Sequence, residues 1–268
     1  MAAEYPETTV QVLNCRQAAA NSKWLIVSNA ARNRREFTMG QDQAMTYRWG
    51  GAALCVGSIL LALAIIGYVF IYGQPDASGA DGVITVDDRV SHLQANWSFA
   101  QAMWRIETVA IVLLAVAGFV LQHQNWNPGD RTSPRFAWSL LTAGAIFLFM
   151  LYPLMLGGYP EALRIYETEP GVMAVQNSIA YFVFYFGSGT MFLGLATVFA
   201  LGRESNGGIP SWLAMTGIIV CLLGFAGMVG GLFGYSQIMT LAPFGVLAYL
   251  IASYLGFSIW RMGSWAAS

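Results

Sequence analysis

Residues 104–121 read WRIETVAIVLLAVAGFVL, and no polar side chain interrupts the run from 109 to 121. A helix that is apolar all round has no solvent face, so it is either the centre of a large core or a membrane span. Crossing a hydrocarbon layer of about 30 Å takes about 20 residues, because every backbone N–H and C=O must be satisfied within the segment. Outward from this stretch, residues 50–72, 136–156, 179–201, 212–233 and 239–260 meet the same condition. Only 10% of the 268 residues are charged, against about 25% in a soluble domain. The sequence therefore reads as an all-α membrane protein, a six-transmembrane helix bundle with short amphipathic surface helices.

The ends of the runs carry Trp49, Trp104, Trp138, Tyr152, Trp212 and Trp260, aromatic residues that favour the headgroup layer. Orientation follows from the basic residues, because Arg-rich and Lys-rich loops stay in the cytoplasm. Arg16, Lys23, Arg32, Arg34, Arg35, Arg48, Arg131, Arg135, Arg203 and Arg261 fall on one side, Arg89 and Arg164 on the other. Both termini are expected to be cytoplasmic, and the membrane to be a bacterial inner membrane. Residues 1–46 hold no apolar core long enough for a cleavable signal, so the first span is expected to act as its own insertion signal. The basic cluster Ala31-Arg32-Asn33-Arg34-Arg35 reads as part of a cytoplasmic amphipathic helix lying on anionic headgroups, with a docking segment for a soluble partner as the alternative. A net charge of −1 with a single lysine excludes a nucleic-acid binder.

Two of the outer loops, 73–103, 157–178 and 234–238, carry helical signals. Val83, Val86, Val90, Leu93, Trp97, Ala100 and Trp104 recur at spacings of three and four, which predicts a surface helix leading straight into the second span. In the next loop Pro160 and Pro170-Gly171 bracket a helix of about two turns. Together the two helices form a partial lid.

A charge inside a span costs roughly 2.5–3.5 kcal/mol on insertion scales, so Arg105 and Glu107 call for explanation. Glu107 continues the stripe Trp104, Ile111, Leu114, Gly118 and Leu121; because Gly118 favours helix contact, that stripe faces protein. Arg105 lies on another face and snorkels. A carboxyl pointing inward must be protonated, paired or hydrated. Its expected partners are Arg164, the stripe Asn177, Tyr181, Tyr185 and Ser188 on the fourth span, and Tyr235 and Gln237 in the last outer loop. These residues outline an outward-facing polar pocket, or alternatively an interface belt with a structural carboxyl. The fifth span holds Gly217, Gly224, Gly227, Gly230, Gly231 and Gly234, of which Gly227 with Gly231 and Gly230 with Gly234 are four-residue pairs that let another backbone approach, either within the chain or in an oligomer.

His92 and His123 stand alone in loops on opposite sides, so no haem or His-rich metal site is expected, nor any cofactor. No nucleophile elbow or phosphate loop is present, and no catalytic residue is assigned. The stretch Ile209-Pro210-Ser211-Trp212-Leu213, with Gly217, the Gly-rich span and Ala242-Pro243, resembles the C-terminal part of a bacterial family of multi-pass membrane proteins. That family has no assigned activity, so the resemblance implies a membrane fold and no site. Three functions follow as expectations. The first is a non-enzymatic accessory or scaffold component of a membrane complex, with a membrane-protein partner or a homo-oligomer. The second is a transporter or binder of a small solute or lipid through the Glu107 pocket. The third is a lipid-acting enzyme using Glu161 or His92 with Glu107.

Overall fold

The computed structural model describes residues 45–68, 85–122, 132–204 and 209–266. The basic cluster of the N-terminal segment, Val83 of the first-loop stripe and His123 lie outside them. The described residues are helical with no strand, and six helices are long and apolar enough to cross a membrane. This is the six-helix bundle of a multi-pass membrane protein.

The six spanning elements are α1 (Met45–Tyr68), α3 (Trp97–Leu121), α4 (Thr132–Phe149), α6 (Pro170–Glu204), α7 (Ser211–Leu232) and α9 (Phe244–Ala266). Between them lie α2 (Val86–Ala95), a π-helical turn (Pro153–Gly158), α5 (Tyr159–Arg164) and α8 (Ser236–Met239). The spans pack in a ring, α3 on α4, α4 on α6, α6 on α7 and α7 on α9, which α1 closes by packing on both α3 and α9. Neighbours run antiparallel. A Cβ on Gly50 would meet Leu121, one on Gly57 would meet Leu113 and one on Gly67 would meet Met103, so each step along α1 is a step back along α3.

Small residues set the spacing of this ring, as expected where lipid supplies no hydrophobic drive between helices. Gly51 and Gly256 bring the α1 and α9 backbones together, with a Cβ on Gly51 falling 2.5 Å from the Trp260 nitrogen. Gly144, Gly187 and Gly194 do the same between α4 and α6. Gly118 lies against Trp138 and Thr142, Gly224 against Phe192 and Gly245, Gly227 against the Ala242 backbone, Gly230 against Ile238, and Gly231 against the Tyr185 ring. All these faces are occupied within the chain. Gly234 differs from the others: it ends α7 with φ +77, while its N–H bonds the Gly231 carbonyl and the Tyr235 N–H bonds the Gly230 carbonyl. That is the Schellman arrangement, whose left-handed residue favours glycine, so Gly234 makes a turn and packs against nothing.

Several boundaries differ from the expected ones. α3 begins at Trp97, not 104, because Ser98, Gln101 and Arg105 lower hydropathy without breaking a helix. α6 begins at Pro170, nine residues before the apolar run, so most of loop 157–178 is helix. The last span begins at Phe244, after the turn that holds Pro243. The helix of the first outer loop does not run straight into the span: it stops at Asn96, whose side chain bonds the His92 carbonyl. α2 is a separate helix, started by a capping box in which Thr85 and Asp88 satisfy each other's backbone N–H. Pro153 has no N–H to give to a carbonyl four residues back, and the chain passes it with a π-helical turn rather than a break.

Candidate functional site: a buried carboxyl among tyrosines

The stripe through α2 and α3 faces inward from Val90 onward, while Val86 at the start of α2 is exposed. Val90, Leu93, Ala100, Trp104, Ile111, Leu114 and Leu121 are buried, and Glu107 among them is only 3% exposed. Arg105, two residues away, is exposed on another face.

The neighbours of Glu107 come from three other spans. The Tyr68 hydroxyl, at the end of α1, donates to Glu107 Oε2. The geometry follows from helix direction. Cα–Cβ bonds tilt toward a helix N-terminus, so in antiparallel α1 and α3 these two side chains lean toward each other. Tyr152, just before the π-helical turn, brings its hydroxyl within reach of the carboxyl. Its oxygen is fully buried and makes no hydrogen bond of normal geometry among the described residues. Tyr249 of α9 lies in electrostatic contact with Glu107 and with Cys221 of α7, and its ring packs 5.4 Å from that of Phe192. Trp104, one turn above Glu107, covers the cluster; Trp104, Tyr152 and Tyr249 are each 2% exposed or less.

Above this layer sits a second one. The Trp104 ring meets the edges of Trp97 and Tyr159 at 5.4 and 5.6 Å. The Tyr159 hydroxyl donates to Asn177 Oδ1. α2 and α5 close over it with two contacts, Gln94 Nε2 donating to the Leu163 carbonyl at 3.1 Å and the Tyr166 hydroxyl donating to Asp87 Oδ1 at 2.6 Å. That bond to Asp87 holds the exposed Tyr166 hydroxyl above the usual tyrosine range. This is the lid end of the bundle.

The expected site residues separate into three places. Glu107 is in the inner layer and Asn177 in the upper one. Arg164 does not reach the carboxyl; it is exposed and pairs with Glu161 at 2.5 Å, one turn away on the same short helix. Tyr181 and Tyr185 stack on each other along α6, Tyr181 54% exposed and Tyr185 donating to Met239 Sδ at 3.4 Å. Gln237 and Tyr235 are exposed at the rim. Tyr181 and Tyr185 therefore face the periphery and α7, Ser188 of the same stripe is buried, and it is Tyr68 and Tyr152 that stand beside the carboxyl. Hydroxyl groups at matching depth on the first and third runs were the sequence signal for them.

Among the described residues no three His, Cys, Asp or Glu side chains gather where they could hold a metal ion. No protein-family description, curated protein or solved structure matches this chain.

Proposed function

We propose that this protein binds or carries a small solute or lipid in the membrane through the Glu107 cluster, reached from the lid end. One observation carries this reading. A carboxyl at 3% exposure, with no ion pair to a lysine or arginine among the described residues, accepts from the Tyr68 hydroxyl and has the Tyr152 hydroxyl within reach. Intramembrane ionisable groups are expensive and mark ligand or ion pathways. Among the described residues Gln94 to the Leu163 carbonyl and Tyr166 to Asp87 join α2 to the segment around α5, and this reading has the bundle open at that end.

The reading as an accessory or scaffold component of a membrane complex draws on the glycine face, the outer helices and the lack of a catalytic motif. Those glycines pack inside the bundle, so what favours it now is the exposed aromatic face of α6, with Tyr181, Phe182 and Phe186. The lipid-acting enzyme has less support, because Glu161 is engaged by Arg164. The arginine count supports cytoplasmic termini and an outward-facing lid. Resemblance of the C-terminal spans to a bacterial membrane family supports a bacterial inner membrane.

Native mass spectrometry of the protein released gently from its own membrane separates the two main readings. A retained small molecule, lost in Glu107→Gln with folding intact, is the expected result. A stoichiometric protein partner and no small molecule would move the protein to the accessory class.

A further inference from the structure

The geometry points to Glu107, Tyr68 and Tyr152 as a proton-binding site, at which the protein takes up one proton from the lid side and couples it to ligand movement. The inference rests on the ligand reading above for what the proton is coupled to, and on the cluster alone for the proton itself.

The closeness of the packing selects the ion. Glu107, Trp104, Tyr152 and Tyr249 expose almost no surface. An organic cation could meet the carboxyl only after these side chains move apart. A metal ion needs several oxygen ligands, and one carboxylate with phenols around it falls short, because the nearby Trp104 carbonyl already accepts from Thr108 Oγ1. A proton needs no volume.

The hydrogen-bond inventory then fits both states of the carboxyl. As a carboxylate it accepts from Tyr68, and the buried Tyr152 hydroxyl stands within reach without a hydrogen bond of normal geometry. When a proton from solvent forms an O–H bond on the carboxyl, the new donor needs an acceptor, and the Tyr152 hydroxyl, which can donate to a carboxylate or accept from a carboxyl O–H, is the group in place to take it. On release the O–H bond breaks and the proton returns to water, so atoms and charge balance without a co-reactant. The other groups facing the site are Tyr249 from α9 and, through it, Cys221 from α7. No charged side chain of α6 pairs with Glu107 among the described residues.

Infrared difference spectroscopy of the whole chain in lipid, titrated across about pH 4–10, tests this directly. The expected result is a buried carboxyl C=O band that appears as the pH falls and is missing in Glu107→Gln. Tyr68→Phe should raise its midpoint by about one pH unit, the size of one hydrogen bond to a charged group, and Tyr152→Phe should move it by less, while Tyr181→Phe leaves it in place. A wild-type protein with no such titrating band overturns the proposal. If Glu107→Gln does not fold, the two tyrosine variants keep the carboxyl, and an unmoved midpoint in both overturns it equally. Retained solute without a titrating carboxyl would sink the proton site and spare the ligand reading; a titrating carboxyl without a solute would do the reverse.

Discussion

The Tyr68 hydroxyl donates to Glu107 across 39 positions of sequence and ties the lid end of α1 to α3. Tyr152 reaches the same carboxyl without a hydrogen bond of normal geometry. The two tyrosines are chemically identical and differently placed, which gives the first prediction. Tyr68→Phe leaves a buried acceptor without its donor and should cost about 1–3 kcal/mol. Tyr152→Phe removes a hydroxyl without that geometry and should cost less. Thermal unfolding in one detergent, with the Tyr68→Phe/Glu107→Gln double variant closing the cycle, reads both. Equal losses from the two substitutions would show that the carboxyl does not distinguish them.

Ring closure supplies a second contrast. A Cβ on Gly256 would fall 2.5 Å from the Cys55 nitrogen and 2.7 Å from the Gly51 carbonyl, both backbone atoms that cannot step aside. Gly256→Ala should push α1 from α9 and cost about 1–3 kcal/mol by overpacking. Gly171, in the first turn of α6, has open space where its Cβ would go, and Gly171→Ala should hold or raise stability by up to about 1 kcal/mol. Unfolding temperatures that move alike would remove the close α1–α9 approach.

The spans were legible because a bilayer imposes a length, and an apolar run of that length has few other uses. Their ends were not, since Ser98 in α3 and Gln176 in α6 lower hydropathy while the helix continues to the lid. The inward direction of Glu107 was legible from its stripe, for periodicity along one helix fixes which residues share a face. Which helix lies opposite is set by ring order and antiparallel register, and no single run records either. Tyr68 and Tyr152 sit near span ends, where each looks like a belt aromatic, and Tyr249 lies inside the sixth apolar run, where nothing in the run ties it to Glu107. Arg164 was drawn away by Glu161, a nearer partner three residues back.

The lid gives a third prediction, with a pH sign. Hydrogen bonding to Asp87 raises the Tyr166 hydroxyl above its ordinary value, because the carboxylate favours the neutral phenol. A raised acid contributes its stabilisation fully below the unfolded tyrosine value of about 10. The contribution is lost as pH rises through the higher folded value. In an ultraviolet titration Tyr166 should ionise later than an exposed tyrosine, and Tyr166→Phe should delete that late step. The same variant should speed amide exchange in α2 at neutral pH. An α2 that exchanges no faster would mean that Gln94 and apolar packing hold the lid without Tyr166.

Orientation gives the last prediction, and it decides from which side the carboxyl is reached. α6 has 35 residues, about 50 Å of helix at 1.5 Å per residue, well beyond a hydrocarbon core of about 30 Å. Its two ends therefore stand clear on opposite sides. Glu167, in the turn before it, and Arg203, in its last turn, are both exposed. In a chain whose Cys15, Cys55 and Cys221 are replaced by alanine, Glu167→Cys should react with a membrane-impermeant maleimide on intact cells. Arg203→Cys should react only after permeabilisation. The reverse pattern would put the lid in the cytoplasm, contradict the arginine count, and make the cell interior the source of any proton or solute that reaches Glu107.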